Sequence, residues 1–352
     1  MCTFFSVVRC MKQLDNTEYT PTKVAVLRRY VQLLSVLCVL LLVVVGAFLY
    51  VNNEKTAVSE PEVFPPAAAL DVVPEAFEIP PFDDSEEGKM AAYGYRLITE
   101  TYALMGPDTK TAYSGNRLAC TSCHLNGGTK PYAAPFIGLT GVFPTYIGRE
   151  NKIESLEERI NGCFERSMNG KMIDVNSKEM RAMVSYIKHL SKDIPVGVRL
   201  KGQGFVDFTA PDRPADIKKG EIVYKNTCTP CHGPDGLGLK GSAGNREGGY
   251  LYPPLWGDDS YNDGAGMNRL ITAARFIKGN MPLGVTHDTP QLSDEEAYDV
   301  AAYINSHTRP AKENKEHDYP NLAKKPKDCP YPPYADSIPQ EQHRLGPFNF
   351  GA

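Results

Sequence analysis

The sequence lacks two features that would place it in common classes of protein. Its formal net charge is only −4, and residues 52–88 hold ten acidic residues against one lysine, so the remainder carries +5. A chain this weakly basic is not predicted to bind nucleic acid. Its nine cysteines do not form the dense, even pattern of a disulfide-stapled secreted domain. What remains is a chain of 352 residues, 42% of them hydrophobic, which suffices for two globular domains.

Long hydrophobic runs are also scarce, with one exception near the N-terminus. Residues 31–51 contain only two polar residues, and a helix of this length spans the roughly 30 Å of a bilayer core. Basic residues precede the run and acidic residues follow it, so the positive-inside rule predicts that residues 1–30 are cytoplasmic. A cleaved signal peptide is the alternative, but its apolar region is usually shorter. We therefore predict a single uncleaved transmembrane anchor.

The rest of the chain alternates between linkers and domain-like segments. Residues 52–88 are rich in proline and acidic residues, a composition that favours extended conformations. Residues 89–197 and 216–309 each contain a Cys-x-x-Cys-His motif and end in an amphipathic helix. Residues 198–215 are a Gly/Pro-rich linker between them. The proline-rich tail, residues 310–352, is predicted to lie over a domain or to stay mobile.

The two closing helices resemble each other in sequence. They are "NSKEMRAMVSYIKHL" and "SDEEAYDVAAYINSH", and their Tyr-Ile pairs are offset by 117 residues. Each is predicted to begin with a capping box, Asn176 with Glu179 in the first and Ser293 with Glu296 in the second. We interpret the two segments as an internal duplication of one helical domain.

Both segments contain the attachment signature of a c-type haem, in which two thiols form thioethers and the adjacent histidine ligates the iron. The residues are Cys120, Cys123 and His124, and Cys228, Cys231 and His232. A zinc site built from the four cysteines is the alternative, but zinc-binding pairs usually lie about 15 to 20 residues apart. Here 104 residues separate the two pairs. The predicted fold is all-α, with two tandem class I cytochrome c domains, each with a covalent haem, behind a single N-terminal transmembrane helix.

Each haem iron needs a second ligand on its other face. For the second haem, "FIKGNMPLG" offers Met281 in a Gly/Pro-containing loop, and Met/His ligation is common in cytochromes c. Met267 is the alternative, but it falls at the predicted start of a helix and suits a core or capping position. For the first haem the candidates are a cysteine, four methionines and a histidine: Cys163, Met168, Met172, Met180, Met183 and His189.

Cys163 lies among positive charges in "ERINGCFERSMNGK". The segment predicts a helix that starts with a capping box at Ser155 and ends at Asn169, with Arg159, Cys163 and Ser167 in line on one face. Nearby arginines favour a thiolate, which is a good ligand and nucleophile. A buried free cysteine that acts as a small hydrophobic residue is equally compatible with the pattern. The residues alone leave both roles open.

Residues 89–309 resemble the dihaem thiosulfate dehydrogenase family. The resemblance rests on "CTSCHLNGGTKPY", "ERINGCFERSMNGK", "SKEMRAMVSYIKHL" and "FIKGNMPLG", of which the second is the most specific. It implies that Cys163 is the distal ligand of the active-site haem and can carry a thiosulfate-derived adduct. It also implies an anion pocket formed by basic and hydroxyl residues, namely Arg149, Arg159, Ser167 and Lys171.

The resemblance implies oxidation of two thiosulfate ions to tetrathionate. The apolar run and its flanking charges, rather than the resemblance, predict an anchor in the bacterial inner membrane with the haem domains in the periplasm, since many members of the family are soluble periplasmic proteins. Electrons would pass from the Cys163-ligated haem to the second, because thiolate lowers and methionine raises the potential. An acceptor such as another cytochrome or a terminal oxidase would receive them. Two alternatives are a dihaem electron shuttle to a terminal oxidase, without a substrate of its own, and the same enzyme working as a tetrathionate reductase.

Overall fold

The computed structural model describes residues 21–54, 77–242 and 244–350. The chain divides after Pro65 into two units, which we describe separately. Residues 1–20 of the predicted cytoplasmic segment and residues 55–76 of the predicted linker lie outside the described residues. In the second unit we call residues 77–214 the first half, residues 215–309 the second half, and residues 310–350 the C-terminal segment.

The first unit contains one long helix, α1, Pro21–Glu54. Its apolar part, Val24–Leu49, has 26 residues, and it is the one helix of the described residues that is long and apolar enough to cross a membrane. The apolar helix predicted from the sequence is therefore present, and it begins earlier than residue 31. Most of its large apolar side chains are exposed to the surroundings, as in a helix that lacks a protein core to pack against.

The second unit has more helix than strand. Its longer helices are α2 Glu86–Thr99, α3 Leu156–Arg166, α4 Lys178–Leu190, α5 Ile217–Val223, α6 Leu270–Asn280 and α7 Asp294–Ser306. Short helical turns cover Thr101–Leu104, Cys120–Ser122, Leu125–Gly128, Leu139–Gly141, Tyr224–Cys228, Thr229–His232, Gly266–Asn268, Lys315–His317, Leu322–Lys324 and Gln340–Leu345. Two antiparallel hairpins pair β1 Thr145–Ile147 with β2 Lys152–Glu154, and β3 Leu239–Ser242 with β4 Asn245–Tyr252. The predicted all-α class is confirmed, with little sheet.

The two halves have the same helix crossing, in which the first helix packs on the last. Gly94 of α2 lies against the backbone oxygen of Ala182 in α4, where an added Cβ would be 1.9 Å away. Gly220 of α5 lies against the backbone oxygen of Asp299 in α7 in the same way, at 2.0 Å. Only glycine allows so close an approach. Ala182 and Asp299 are offset by the same 117 residues as the Tyr-Ile pairs, which supports the duplication.

The helix starts agree with the sequence prediction at two of three positions. The capping boxes predicted for α3 and α7 are both present. The box predicted for α4 is wrong, because Ser177 rather than Asn176 is the cap and accepts a hydrogen bond from the Met180 amide at 3.1 Å. The Asn176 amide instead donates to Asp174 in the preceding turn.

The C-terminal segment packs on both halves. Asp318 accepts a hydrogen bond from Arg166 of the first half, at 2.7 Å between Nη2 and Oδ1. Asp328 accepts one from Nε of Arg269 in the second half, at 2.9 Å. A small apolar cluster of its own includes Cys329, whose exposed fraction is 1%. The sequence left two alternatives for the tail, and residues 310–350 adopt the first of them, in which the tail lies over a domain.

Candidate active site

The first Cys-x-x-Cys-His motif forms part of the wall of a largely apolar cavity. The empty space between the wall atoms of the cavity, with its opening to solvent included, is about 700 Å³. The chemically active groups in its wall are Cys120, Cys123, His124, Cys163 and Ser167. The motif thus lies opposite α3, and the residues predicted to bind the first haem share one cavity with the predicted distal ligand.

Both motif histidines are oriented by a backbone carbonyl. His124 Nδ1 lies 2.6 Å from the Ala134 oxygen, and His232 Nδ1 lies 2.8 Å from the Pro253 oxygen. A carbonyl oxygen only accepts hydrogen bonds, so each Nδ1 carries the proton and each Nε2 has a free lone pair. A hydrogen bond from Nδ1 to a backbone carbonyl is typical of histidines whose other ring nitrogen ligates a metal.

The motif cysteines have the properties of haem attachment sites. All four are free, and burial raises the pKa of Cys120 to about 11, that of Cys123 to about 12 and that of Cys228 to about 11. Within the described ranges, no group of three or more His, Cys, Asp or Glu side chains could hold a metal ion, so the four cysteines do not form the alternative zinc site. An apolar cavity with a pair of thiols and an oriented imidazole in its wall fits a haem.

Cys163 is held as a thiolate by its neighbours. Arg159, one turn earlier on α3, donates from Nη1 to the Cys163 sulfur at 3.1 Å. Burial raises the pKa of the Cys163 thiol, but the charge of Arg159, together with the neighbouring His124, outweighs this effect and brings the pKa to about 6. A soft anionic sulfur therefore faces the motif histidine across the cavity, as a distal iron ligand would.

The other residues of the predicted anion pocket are not all gathered at the cavity. Ser167 lies in its wall, and Arg159 is exposed beside Cys163. The guanidinium of Arg149 instead lies 5.8 Å from the ring centre of Tyr319, and Lys171 Nζ lies 5.9 Å from the ring centre of Tyr113. The structure thus brings Arg159, Cys163 and Ser167 together, and leaves Arg149 and Lys171 outside the cavity wall.

The other candidate ligands of the first haem fall into two groups. Met168 and Met183 line the cavity. Met180 is fully buried in the first core, the exposed fraction of Met172 is 59%, and His189 lies 3.1 Å from the Pro80 oxygen. Cys163 differs from both methionines in the cavity because it has an adjacent cation that stabilises the anionic form.

The second half contributes two residues to the first cavity that sequence reasoning did not place there. Tyr261 is buried and lines the wall, and Met267 lines it as well. No local pattern marks either residue, because the contacts join segments about a hundred residues apart in sequence. Met281 lies elsewhere, half-buried against the second core directly after α6. This arrangement supports Met281 over Met267 as the ligand of the second haem.

Comparison with known proteins identifies the family. The profile of the SoxA/TsdA cytochrome c domain matches residues 110–196, and that of cytochrome c oxidase cbb3-type subunit III matches residues 215–304. Thiosulfate dehydrogenase of Psychrobacter arcticus is 44% identical over 249 residues, which are 71% of this chain and 71% of that protein. The chain belongs to the thiosulfate dehydrogenase family. A second member, from Allochromatium vinosum, is 42% identical over 70% of this chain and 86% of its own.

A solved structure gives the same result. Thiosulfate dehydrogenase (TsdBA) from Marichromatium purpuratum, in its as-isolated form, superimposes with a TM-score of 0.61 at 36% identity. The match covers 66% of this chain and 49% of that one, so this chain spans about half the length of that protein. As a member of the thiosulfate dehydrogenase family, the protein is an oxidoreductase with two cytochrome c domains and two c-type haems.

Proposed function

We propose that the protein oxidises two thiosulfate ions to one tetrathionate ion and releases two electrons. The observation that carries this proposal is the 3.1 Å contact between Arg159 and the Cys163 sulfur in the same cavity as the first haem motif. A protein that only shuttles electrons does not need a cysteine thiolate, paired with an arginine, beside a haem that substrate can reach. The haems supply one-electron acceptor chemistry, and two of them match the two electrons released.

Cys163 provides a sulfur nucleophile for this reaction. Its thiolate and the outer sulfur of one thiosulfate form a sulfur–sulfur bond as two electrons leave. A second thiosulfate then attacks the sulfur atom of the first thiosulfate that is bonded to the Cys163 sulfur. The bond to Cys163 breaks, and tetrathionate departs. The thiolate is thereby restored, and charge and atoms balance over the cycle. The lowered pKa of Cys163 suits both its nucleophilic and its leaving role.

The basic residues offset the repulsion between two dianions. Arg159 is exposed beside Cys163 and is placed to bind the sulfonate oxygens of thiosulfate. Ser167, four residues after Cys163, supplies a hydroxyl in the cavity wall. We propose that Arg149 and Lys171 act at longer range and raise the local concentration of the anion rather than contact the reacting sulfur.

We propose that His232 and Met281 would hold the iron of the second haem. Methionine raises the potential of a haem and thiolate lowers it, so the second haem would accept electrons from the first and would pass them to an acceptor such as another cytochrome or a terminal oxidase. The same chemistry run backwards would reduce tetrathionate. An acceptor of higher potential than the second haem would drive the reaction towards oxidation of thiosulfate.

The direct test of this function is a stoichiometry measurement on the purified holoprotein. With ferricyanide as acceptor, two thiosulfate ions should disappear and two ferricyanide ions be reduced for each tetrathionate formed. The electron shuttle would be the better assignment if the rate of tetrathionate formation did not depend on the amount of protein. The same would hold if the haems became reduced while no thiosulfate was consumed.

Arg159→Ala is expected to weaken thiosulfate binding while the haems stay in place. Loss of a charge-assisted contact to a dianion should raise KM about tenfold or more. Steady-state kinetics with thiosulfate measure the change. Arg96→Ala removes an arginine of α2 that pairs with Glu100 on the surface, and it should leave KM unchanged. An unchanged KM in Arg159→Ala would remove this residue from the anion site.

We further propose that α1 anchors the protein in the bacterial inner membrane and that the haem domains lie in the periplasm. The apolar span and the basic residues before it support this topology. Protease added to intact spheroplasts is expected to digest both haem domains while a cytoplasmic marker survives. Haem domains that resist the protease, or that are released into the soluble fraction without α1, would contradict an anchored periplasmic protein.

A further inference from the structure

The end of α3 is held by residues far away in sequence. The carbonyls of Glu165 and Arg166 lie at the end of α3, where the helix itself offers them no donor. They accept hydrogen bonds from Asn262 of the second half, from Nδ2 at 2.8 Å and from the amide at 3.2 Å. The Arg166 carbonyl also accepts a hydrogen bond from the Asn169 amide in the following turn, at 3.2 Å. The Ser167 carbonyl accepts from Asn116 Nδ2 at 3.0 Å. These contacts fix the backbone at the end of the Cys163 helix.

The side chain of Arg166 is fixed separately, by the C-terminal segment. The exposed fractions of Arg166 and Asp318 are 6% and 8%. One oxygen of Asp318 accepts from Arg166 Nη2 and the other from the Tyr331 hydroxyl, each at 2.7 Å. A buried guanidinium without a carboxylate at this distance would carry an uncompensated charge and would move towards another anion.

The residue after Asp318 binds a second element of the predicted anion site. The Tyr319 amide donates to the Arg149 carbonyl at 2.7 Å, and its ring lies 5.8 Å from the Arg149 guanidinium carbon. Two consecutive residues of the C-terminal segment therefore hold both α3 and the turn that contains Arg149. Glu150 in that turn also lies 3.5 Å from Arg166, so the turn contacts α3 directly as well as through the C-terminal segment.

We propose that Asp318 is a positioning residue for the Cys163 site. It neutralises Arg166, three residues after Cys163, so that Arg159 is the cation that contacts the Cys163 sulfur. Together with Tyr319 it sets the separation between α3 and the Arg149 turn. The C-terminal segment is thus part of the support of the reacting thiolate. This inference rests on the thiosulfate oxidation proposed above.

Asp318→Asn in the full-length holoprotein tests the proposal, because the change keeps the size of the side chain and removes its charge. We expect kcat/KM for thiosulfate to fall about tenfold to a hundredfold, as displaced reacting groups do. The electron paramagnetic resonance g-values of the thiolate-ligated ferric haem should shift, and Asp318→Glu should recover part of both. Asp328→Asn is the matched control, since it breaks the ion pair between buried Asp328 of the same segment and half-buried Arg269, the residue before α6 in the second half. It should keep wild-type g-values and kcat/KM.

Equal losses in Asp318→Asn and Asp328→Asn, or unchanged g-values in Asp318→Asn, would overturn the inference, because the segment would then act only through overall stability. If Asp318→Asn does not fold, Tyr331→Phe decides, since it removes one hydrogen bond to Asp318 and should shift g-values and kcat/KM in the same direction by less. Wild-type values in Tyr331→Phe would then refute the proposal. A wild-type protein that does not oxidise thiosulfate would refute the proposed function instead, and the g-values would still test the positioning of Cys163.

Discussion

Cys163→Met is expected to abolish tetrathionate formation and to leave a folded protein with both haems. A thioether can occupy the distal position but forms neither a thiolate nor a sulfur adduct. The potential of the first haem should rise, because an electron-rich ligand is replaced by a methionine. Redox titration followed in the visible spectrum measures the potential, and the ferricyanide assay measures turnover.

Cys38→Ala provides the control for Cys163→Met. It removes an exposed thiol of α1, in the other unit of the chain, and should retain the wild-type spectrum and turnover. Full activity with an unchanged spectrum in Cys163→Met would show that Cys163 is only a packed side chain. The electron shuttle would then be the better description of the protein.

Met281→Ala is expected to remove the ligand of the second haem and to interrupt electron flow out of the protein. The weak near-infrared sulfur-to-iron band of the oxidised protein should disappear, and the potential of the second haem should fall, because methionine ligation raises it. Reduction of the second haem by thiosulfate should become slow, while the signals of the Cys163-ligated haem persist. Near-infrared absorption together with redox titration separates the two haems.

Met267→Ala is the matched variant for this experiment. Met267 lies in the wall of the first cavity, whereas Met281 packs against the second core. Met267→Ala should therefore retain the near-infrared band. If the band instead disappears in Met267→Ala and survives in Met281→Ala, the ligand assignment of the second haem is reversed.

Local sequence predicted the helix that contains Cys163. The start of α3, its capping box, and the contact between Arg159 and Cys163 follow from spacings of three and four residues, which place side chains on one helical face. The failure at the start of α4 is also local. Asn176 and Ser177 are both good caps, and the helix starts one residue later than predicted, with Ser177 as its cap.

The sequence by itself determined the number of c-type haems through its two Cys-x-x-Cys-His motifs. It also determined the apolar N-terminal helix, the duplicated helical fold and the charged helix around Cys163, because each depends on residues close together in the chain. Only the tertiary structure decided which group each arginine of that helix contacts. Arg159 contacts the Cys163 sulfur, whereas Arg166 is bound by Asp318, 152 residues later in a segment without periodicity. It also decided that Met267 lies at the first cavity. Such contacts arise when two halves and the C-terminal segment pack together, and no local hydrophobic or capping pattern encodes that packing.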